Sequence, residues 1–191
     1  MAQYPLEERI YNVRMAGRIR RLHIRPMNGD EQDVAAHTWG VAMVLLDLFP
    51  EVSKETLVFA LRHDVPEVAT GDIPANVKWA NPELEATLEN LEASFLERMG
   101  WATKLEGSDF LMVKAADRIE LLFYCLEQMY MGNWLLTDVY ENINRKLLED
   151  LQVFKPEIVK RILEYIDAYT LYLQKNFSQH GKFPRDGLSI S

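Results

Sequence analysis

Cysteine is almost missing from this chain. Cys125 is its sole cysteine, so no internal disulfide can form and a reducing cytoplasm is the expected setting. Long apolar runs are missing too: VAMVLLDLF at residues 41–49 is broken by charge and too short to cross a bilayer. The opening MAQYPLEERIYNVRM has no apolar centre of the signal-peptide kind, and no membrane partner is expected. There is no excess of basic residues either. Lys and Arg total 21 against 29 Asp and Glu, a formal net charge of −8, which argues against binding a nucleic-acid polymer. A small phosphorylated substrate stays compatible, because a metal and a few cations reverse the potential inside one cleft.

Several motifs are also absent. Without CxxC there is no thiolate zinc site, and without HExxH no helix-borne metalloprotease. GxGxxG and GxxxxGK are missing, so no glycine loop cradles phosphate, and no GxSxG elbow supports a Ser-His-Asp triad. What remains is an ordinary globular composition, 48% apolar and 26% charged. Its size and pattern predict one all-α domain, a single helical bundle over residues 1–191.

The pattern reads as helices throughout. A first helix is expected over roughly residues 6–22, followed by a break at PMNGD. Asp33 caps a second, ending near Leu48, with Val34, His37, Val41, Val44, Leu45 and Leu48 on one stripe. Ser53 caps a third, with Leu57, Ala60, Leu61 and Asp64 on one face, and Pro66 predicts a kink or helix end beside His63 and Asp64. TGDIP forms a turn. A Glu-rich amphipathic helix over about 83–99 stops at Gly100, and a largely apolar one over about 108–131 stops at Gly132. Helices near 134–152 and 156–177 follow, then an irregular tail at 178–191.

The stretch LRHDVPEVATGDIP at residues 61–74 gathers His63, Asp64, Glu67 and Asp72 directly after an apolar run. His37 lies on the apolar stripe of the second helix, and Asp117 lies within the most apolar helix of the chain. A lone histidine on such a face is commonly a hydrogen-bonded core residue, and one buried Asp could pair with Lys114 or Arg118. Two histidines and two aspartates together strain that explanation, since buried carboxylates are costly unless paired or metal-bound. A divalent cation accounts for all four, because imidazole and carboxylate are its natural ligands. The segment RMAGRIRRLHIRP carries Arg14, Arg18, Arg20, Arg21 and Arg25, most of them expected on a solvated face with one reaching a site.

The order His37, His63–Asp64, Asp117 resembles the H…HD…D pattern of the HD-domain phosphohydrolase superfamily. HDVPEVATGDIPANVKW and VKAADRIELLFYCLEQMYMGN are similar to blocks of the YfbR-type 5′-deoxynucleotidases, and the likeness spans about residues 18–135. The resemblance implies an all-α HD fold and one divalent transition metal (Co, Mn, Zn or Fe) on His37, His63, Asp64 and Asp117. It implies hydrolysis of deoxyribonucleotides, with Glu67 the catalytic glutamate and Asp72 near the sugar and attacking water. Arg21 and Lys78 would contact phosphate. Leu22 stands where the family has an aromatic residue, with His23 a substrate-binding substitute, while Trp39 is expected in the core. Ala36 replaces a glutamate common before the first histidine, and Pro66 is unusual within its block.

Three activities follow as expectations: a 5′-deoxynucleotidase releasing phosphate, a dNTP (dATP) triphosphohydrolase releasing triphosphate, or a non-catalytic nucleotide-binding HD module. Retention of the four ligands and Glu67 speaks against the last. A homodimer is the family expectation.

Overall fold

The computed structural model describes residues 2–101, 104–105 and 107–177. The irregular tail expected at 178–191 lies outside them. Among the described residues the regular structure is helical, and the only β feature is an isolated bridge between Arg20 and Asp33. No described helix is long and apolar enough to cross a membrane. The chain divides into two compact units, one comprising residues 1–25 and 30–117, the other residues 26–29 and 118–191.

In the first unit, helix α1 spans Leu6–Ala16, short of the expected end near residue 22. Competing backbone bonds explain the difference. Val34 N–H donates to the Ile19 carbonyl and Arg21 N–H to the Gln32 carbonyl, both at 2.9 Å, so residues 19–21 lie along the start of the next helix instead of continuing their own. That next helix, α2 (Val34–Leu48), begins where its cap predicts: Asp33 accepts the Ala36 N–H at 2.8 Å. All six stripe residues, His37 among them, are buried. Trp39 corrects the expectation of core packing. It sits two positions from His37, on the opposite side of the helix, and is 65% exposed.

Helix α3 (Lys54–Ala60) is capped by Ser53, which accepts the Thr56 N–H. It ends before the His63–Asp64 pair, so Leu61 falls in the following turn and is 43% exposed instead of packed. Pro66 then starts a one-turn helix, α4 (Glu67–Thr70), in keeping with the tolerance of proline at helix starts. Gly71 follows at φ 72°, a left-handed conformation that glycine adopts without steric cost. A short helix, α5 (Ala75–Ala80), lies where no helix was expected. Asn81 separates it from α6 (Pro82–Met99), whose N-cap it forms, and Gly100 ends α6 at φ 72° and ψ 30°. Ala16, Val65, Phe95 and Met99 form a small core cluster that ties α1, the His–Asp turn and α6 together.

Helix α7 (Gly107–Tyr130) supplies its residues through Asp117 to the first unit and the rest to the second. The second unit continues through a 3-10 turn at Trp134–Leu136, then α8 (Thr137–Leu151) and α9 (Pro156–Phe177). Arg118, one of the alternative partners considered for Asp117, pairs with Asp150 and donates to the Lys146 carbonyl at 2.7 Å. Buried Gln128 exchanges two hydrogen bonds with the Asn28 backbone, and Asn133 donates to the Pro26 carbonyl, so side chains of one helix end hold the 26–29 loop.

Leu45 is fully buried on α2, and truncating such a leucine costs about 2–5 kcal/mol. Leu45→Ala is therefore expected to lower the unfolding free energy by that amount in urea titration, with the slope of the transition unchanged.

Candidate metal centre

Three separate pieces of backbone bring the ionisable groups together. His37 comes from the buried stripe of α2. His63 and Asp64 come from the turn that Pro66 enforces after α3, and Asp117 comes from α7. One ligand atom each from His37, His63 and Asp117 lies within 4.8 Å of the others. His37 Nε2 is 2.9 Å from Asp117 Oδ1 and 3.5 Å from Asp64 Oδ2. His63 Nε2 lies 3.3 Å from Asp64 Oδ1 and 3.9 Å from Asp117 Oδ1.

The tautomer of His63 follows from its other nitrogen. Nδ1 is 2.7 Å from the Ala60 carbonyl, an acceptor only, so Nδ1 carries a proton and aims Nε2 at the carboxylates. This is the backbone-anchored arrangement by which proteins orient metal-binding imidazoles. A shared cation at about 2.0–2.2 Å from nitrogen and oxygen ligands needs ligand–ligand separations of roughly 3–4 Å. The cluster meets that requirement with small side-chain adjustments, and its donor set suits a transition metal.

Electrostatics around the cluster favour a cation as well. Burial opposes ionisation of Asp117, yet His37 and His63 hold it well below the ordinary carboxylate range. Asp64, also disfavoured by burial, is lowered by His63, Arg21 and His37. Burial disfavours the charged form of His63, but Asp64 and Asp117 outweigh it and push the group up to about 9. Glu67 is buried, and burial followed by the charge of Asp64 pushes it up to about 9. Its Oε2 has no hydrogen-bond partner. A divalent ion relieves both the excess of negative charge and the competition for protons.

The other expected site residues differ in burial and in partners. Arg21 is buried, alone among the five N-terminal arginines to be so, and its Nη1 donates to Asp64 Oδ2 at 2.6 Å. Its Nε has no hydrogen-bond partner. Arg20, by contrast, pairs with Glu31 at the surface. Asp72 accepts the N–H of Leu22 at 2.8 Å, and Leu22 adopts φ 54°, unusual for a branched side chain. Asp72 thus holds the strained residue next to Arg21, which a motif alone does not reveal. Lys78, half-buried on α5, lowers the proton affinity of Glu67 through its charge. His23 is exposed on the turn after Leu22, outside the cluster.

Sequence reasoning passed over one acidic residue. Glu92, on the Glu-rich amphipathic helix α6, is partly buried, and that burial holds its carboxyl above the ordinary range. The overlooked signal is its spacing, four residues from each of the buried Leu88 and Leu96.

Comparison with known proteins agrees with this geometry. The family model described as 5′-deoxynucleotidase YfbR-like matches residues 12–168. A 5′-deoxynucleotidase of Vibrio atlanticus (strain LGP32) is 30% identical over 137 residues, 62% of this chain and 67% of that protein. One from Shewanella oneidensis is 32% identical, over 61% of this chain and 66% of its own. The dATP triphosphohydrolase of Salmonella phage PMBT28 is 28% identical over 75% of this chain and 82% of its own. Among solved structures, the cyanophage S-2L HD phosphohydrolase DatZ, bound to dA and one catalytic Zn2+ ion, superposes with a TM-score of 0.72. That match has 20% identity and covers 92% of this chain and 99% of that one. The fold, the clustered motif and these likenesses converge: the chain belongs to the YfbR-like 5′-deoxynucleotidase family.

Proposed function

We propose that the protein removes the 5′-phosphate from deoxynucleoside monophosphates, with His37, His63, Asp64 and Asp117 holding one transition metal. The observation that carries this reading is the convergence of His37, His63 and Asp117 within 4.8 Å. Zinc heads the metals that fit (Co, Mn, Zn or Fe), since DatZ carries Zn2+ and the donor set mixes imidazole with carboxylate. When bound, such an ion supplies Lewis-acid polarisation of a phosphate oxygen and lowers the pKa of water.

The protein's own groups do the rest. Asp64 fixes one end of the Arg21 guanidinium, leaving its buried Nε to donate to a phosphate oxygen. Lys78 adds positive charge beside Glu67. A cation held beside Glu67 would oppose the burial and the Asp64 charge that keep its proton on, and the ionised Oε2, buried and without a hydrogen-bond partner, would then accept the proton of the attacking water and return it to the leaving group. Asp72 keeps the Arg21–Leu22 turn in its strained form. His23, exposed on the same turn, is left to reach the nucleoside end of the substrate.

Release of triphosphate from dATP is the second reading, favoured by the similarity to the phage dATP triphosphohydrolase. Against it, Arg21 is the one arginine of the five with a contact to a cluster residue, Asp64, among the contacts of the described residues. A cytoplasmic location fits the lone cysteine, and the exposed Leu171 and Tyr172 on α9 support the expected homodimer.

Product identity tests the choice of substrate: metal-loaded enzyme is expected to give inorganic phosphate from monophosphates, whereas triphosphate released from dATP overturns the first reading for the second. Glu67→Gln is expected to lower kcat by about 10²–10⁴-fold, and His63→Ala or Asp117→Ala to abolish turnover. Full activity in either ligand variant rejects the assigned centre. Metal binding also has a defined pH sign. Because His63 is pushed up to about 9 while Asp64 and Asp117 are held low, the ion must displace the His63 proton. Affinity is expected to rise with pH until about 9, with proton release measurable by titration calorimetry in buffers of different ionisation enthalpy.

A further inference from the structure

Asp64 stands between the two imidazoles and a guanidinium, and its oxygens are divided between them. Oδ1 lies 3.3 Å from His63 Nε2, while Oδ2 lies 3.5 Å from His37 Nε2 and 2.6 Å from Arg21 Nη1. Ligand atoms of His37, His63 and Asp117 gather within 4.8 Å of one another, and Asp64 is not a member of that group. Its shortest ion-pair contact is with Arg21 instead. The side chains of this pair are 10% and 17% exposed, so salt and water screen it little.

The backbone beneath Arg21 is pinned. Arg21 N–H donates to the Gln32 carbonyl at 2.9 Å, and Leu22 N–H donates to Asp72 at 2.8 Å. Movement is left to the side chain. Its Nε is buried without a hydrogen-bond partner, so the fork of donors is incompletely used at Asp64 and keeps capacity for a second anion.

A hydrogen-bond donor on a metal-ligating carboxylate ordinarily orients the ligand and supports the metal. Arg21 differs because it carries a permanent charge in a buried place and draws on an oxygen that also faces a metal-ligand imidazole. Repulsion between cations and competition for Asp64 then oppose the orienting effect. The short bond to Arg21, with Asp64 outside the converging group, favours competition.

We propose that Arg21 is a shared cation, held by Asp64 in the metal-free site and released to the substrate phosphate when Asp64 serves the metal, so that metal and phosphate reinforce each other's binding through it. This inference rests on the phosphohydrolase reading above. Linkage makes the coupling reciprocal: the factor by which phosphate tightens the metal is the factor by which the metal tightens phosphate.

Competition with a chromophoric chelator measures Zn2+ affinity without phosphate, and circular dichroism checks that each variant is folded. Affinity is expected to rise about tenfold or more in Arg21→Met, which removes the charge. In Arg21→Lys, which keeps the charge, it should stay within about threefold of wild type. Inorganic phosphate should tighten Zn2+ more in wild type than in Arg21→Met. Nitrogen NMR of the wild-type guanidinium supplies a readout that needs no variant. Arg21 Nη signals, held apart by Asp64 in metal-free protein, should average when Zn2+ is added and separate again with phosphate. Weaker Zn2+ binding by Arg21→Met, the sign of a residue that only orients Asp64, overturns the proposal. So do equal changes in both variants, or Arg21 signals indifferent to Zn2+. Wild-type protein that retains no Zn2+ overturns the metal centre and this inference together, whereas any of those results in a Zn2+-binding protein overturns the inference alone.

Discussion

Everything in the first unit is subordinate to placing two imidazoles and two carboxylates, from three stretches of backbone, around one point. The stretches lie far apart in sequence, and ordering them costs conformational entropy, to which repulsion between the carboxylates adds an electrostatic cost. Such a cluster persists because cations balance it: Arg21 on Asp64, protons or a metal on the imidazoles. The fold supports it with ordinary means. Ser53 and Asp33 fix where α3 and α2 begin, and Pro66 fixes where the chain turns between His63 and Glu67.

The segment between α1 and α2 shows how much local structure is spent on one guanidinium. Residues 19–21 give up helical hydrogen bonds for pairing with residues 32–34. Leu22 accepts a left-handed backbone that Asp72 secures through its N–H. Strain of this kind, of order 1–3 kcal/mol, is typical of residues whose position matters more than their comfort. The aspartate of TGD thus has a structural task in addition to whatever it does near the substrate.

Much of this was readable in advance, and for physical reasons. Caps and breakers act over three or four residues, so Asp33, Ser53, Gly100 and Gly132 marked helix ends correctly, and the stripe of α2 placed His37 inside. What failed depended on partners distant in sequence. The end of α1 is decided by pairing with Gln32 and Val34, not by its own residues alone, and Trp39 is exposed because an aromatic side chain does not by itself choose a helix face. Glu92 was hidden by its composition, one glutamate among many, although its spacing from Leu88 and Leu96 was visible. The pairing of Arg21 with Asp64 is a contact across 43 positions that no local pattern encodes.

Anomalous diffraction from crystals of the protein, recorded at the absorption edge of the metal it retains, tests the central claim most directly. The account predicts a single strong peak per chain at about 2.0–2.2 Å from the Nε2 atoms of His37 and His63 and from an oxygen of Asp117. A map with no peak there, and with His37 and His63 bonded only to the carboxylates of Asp64 and Asp117, would contradict it.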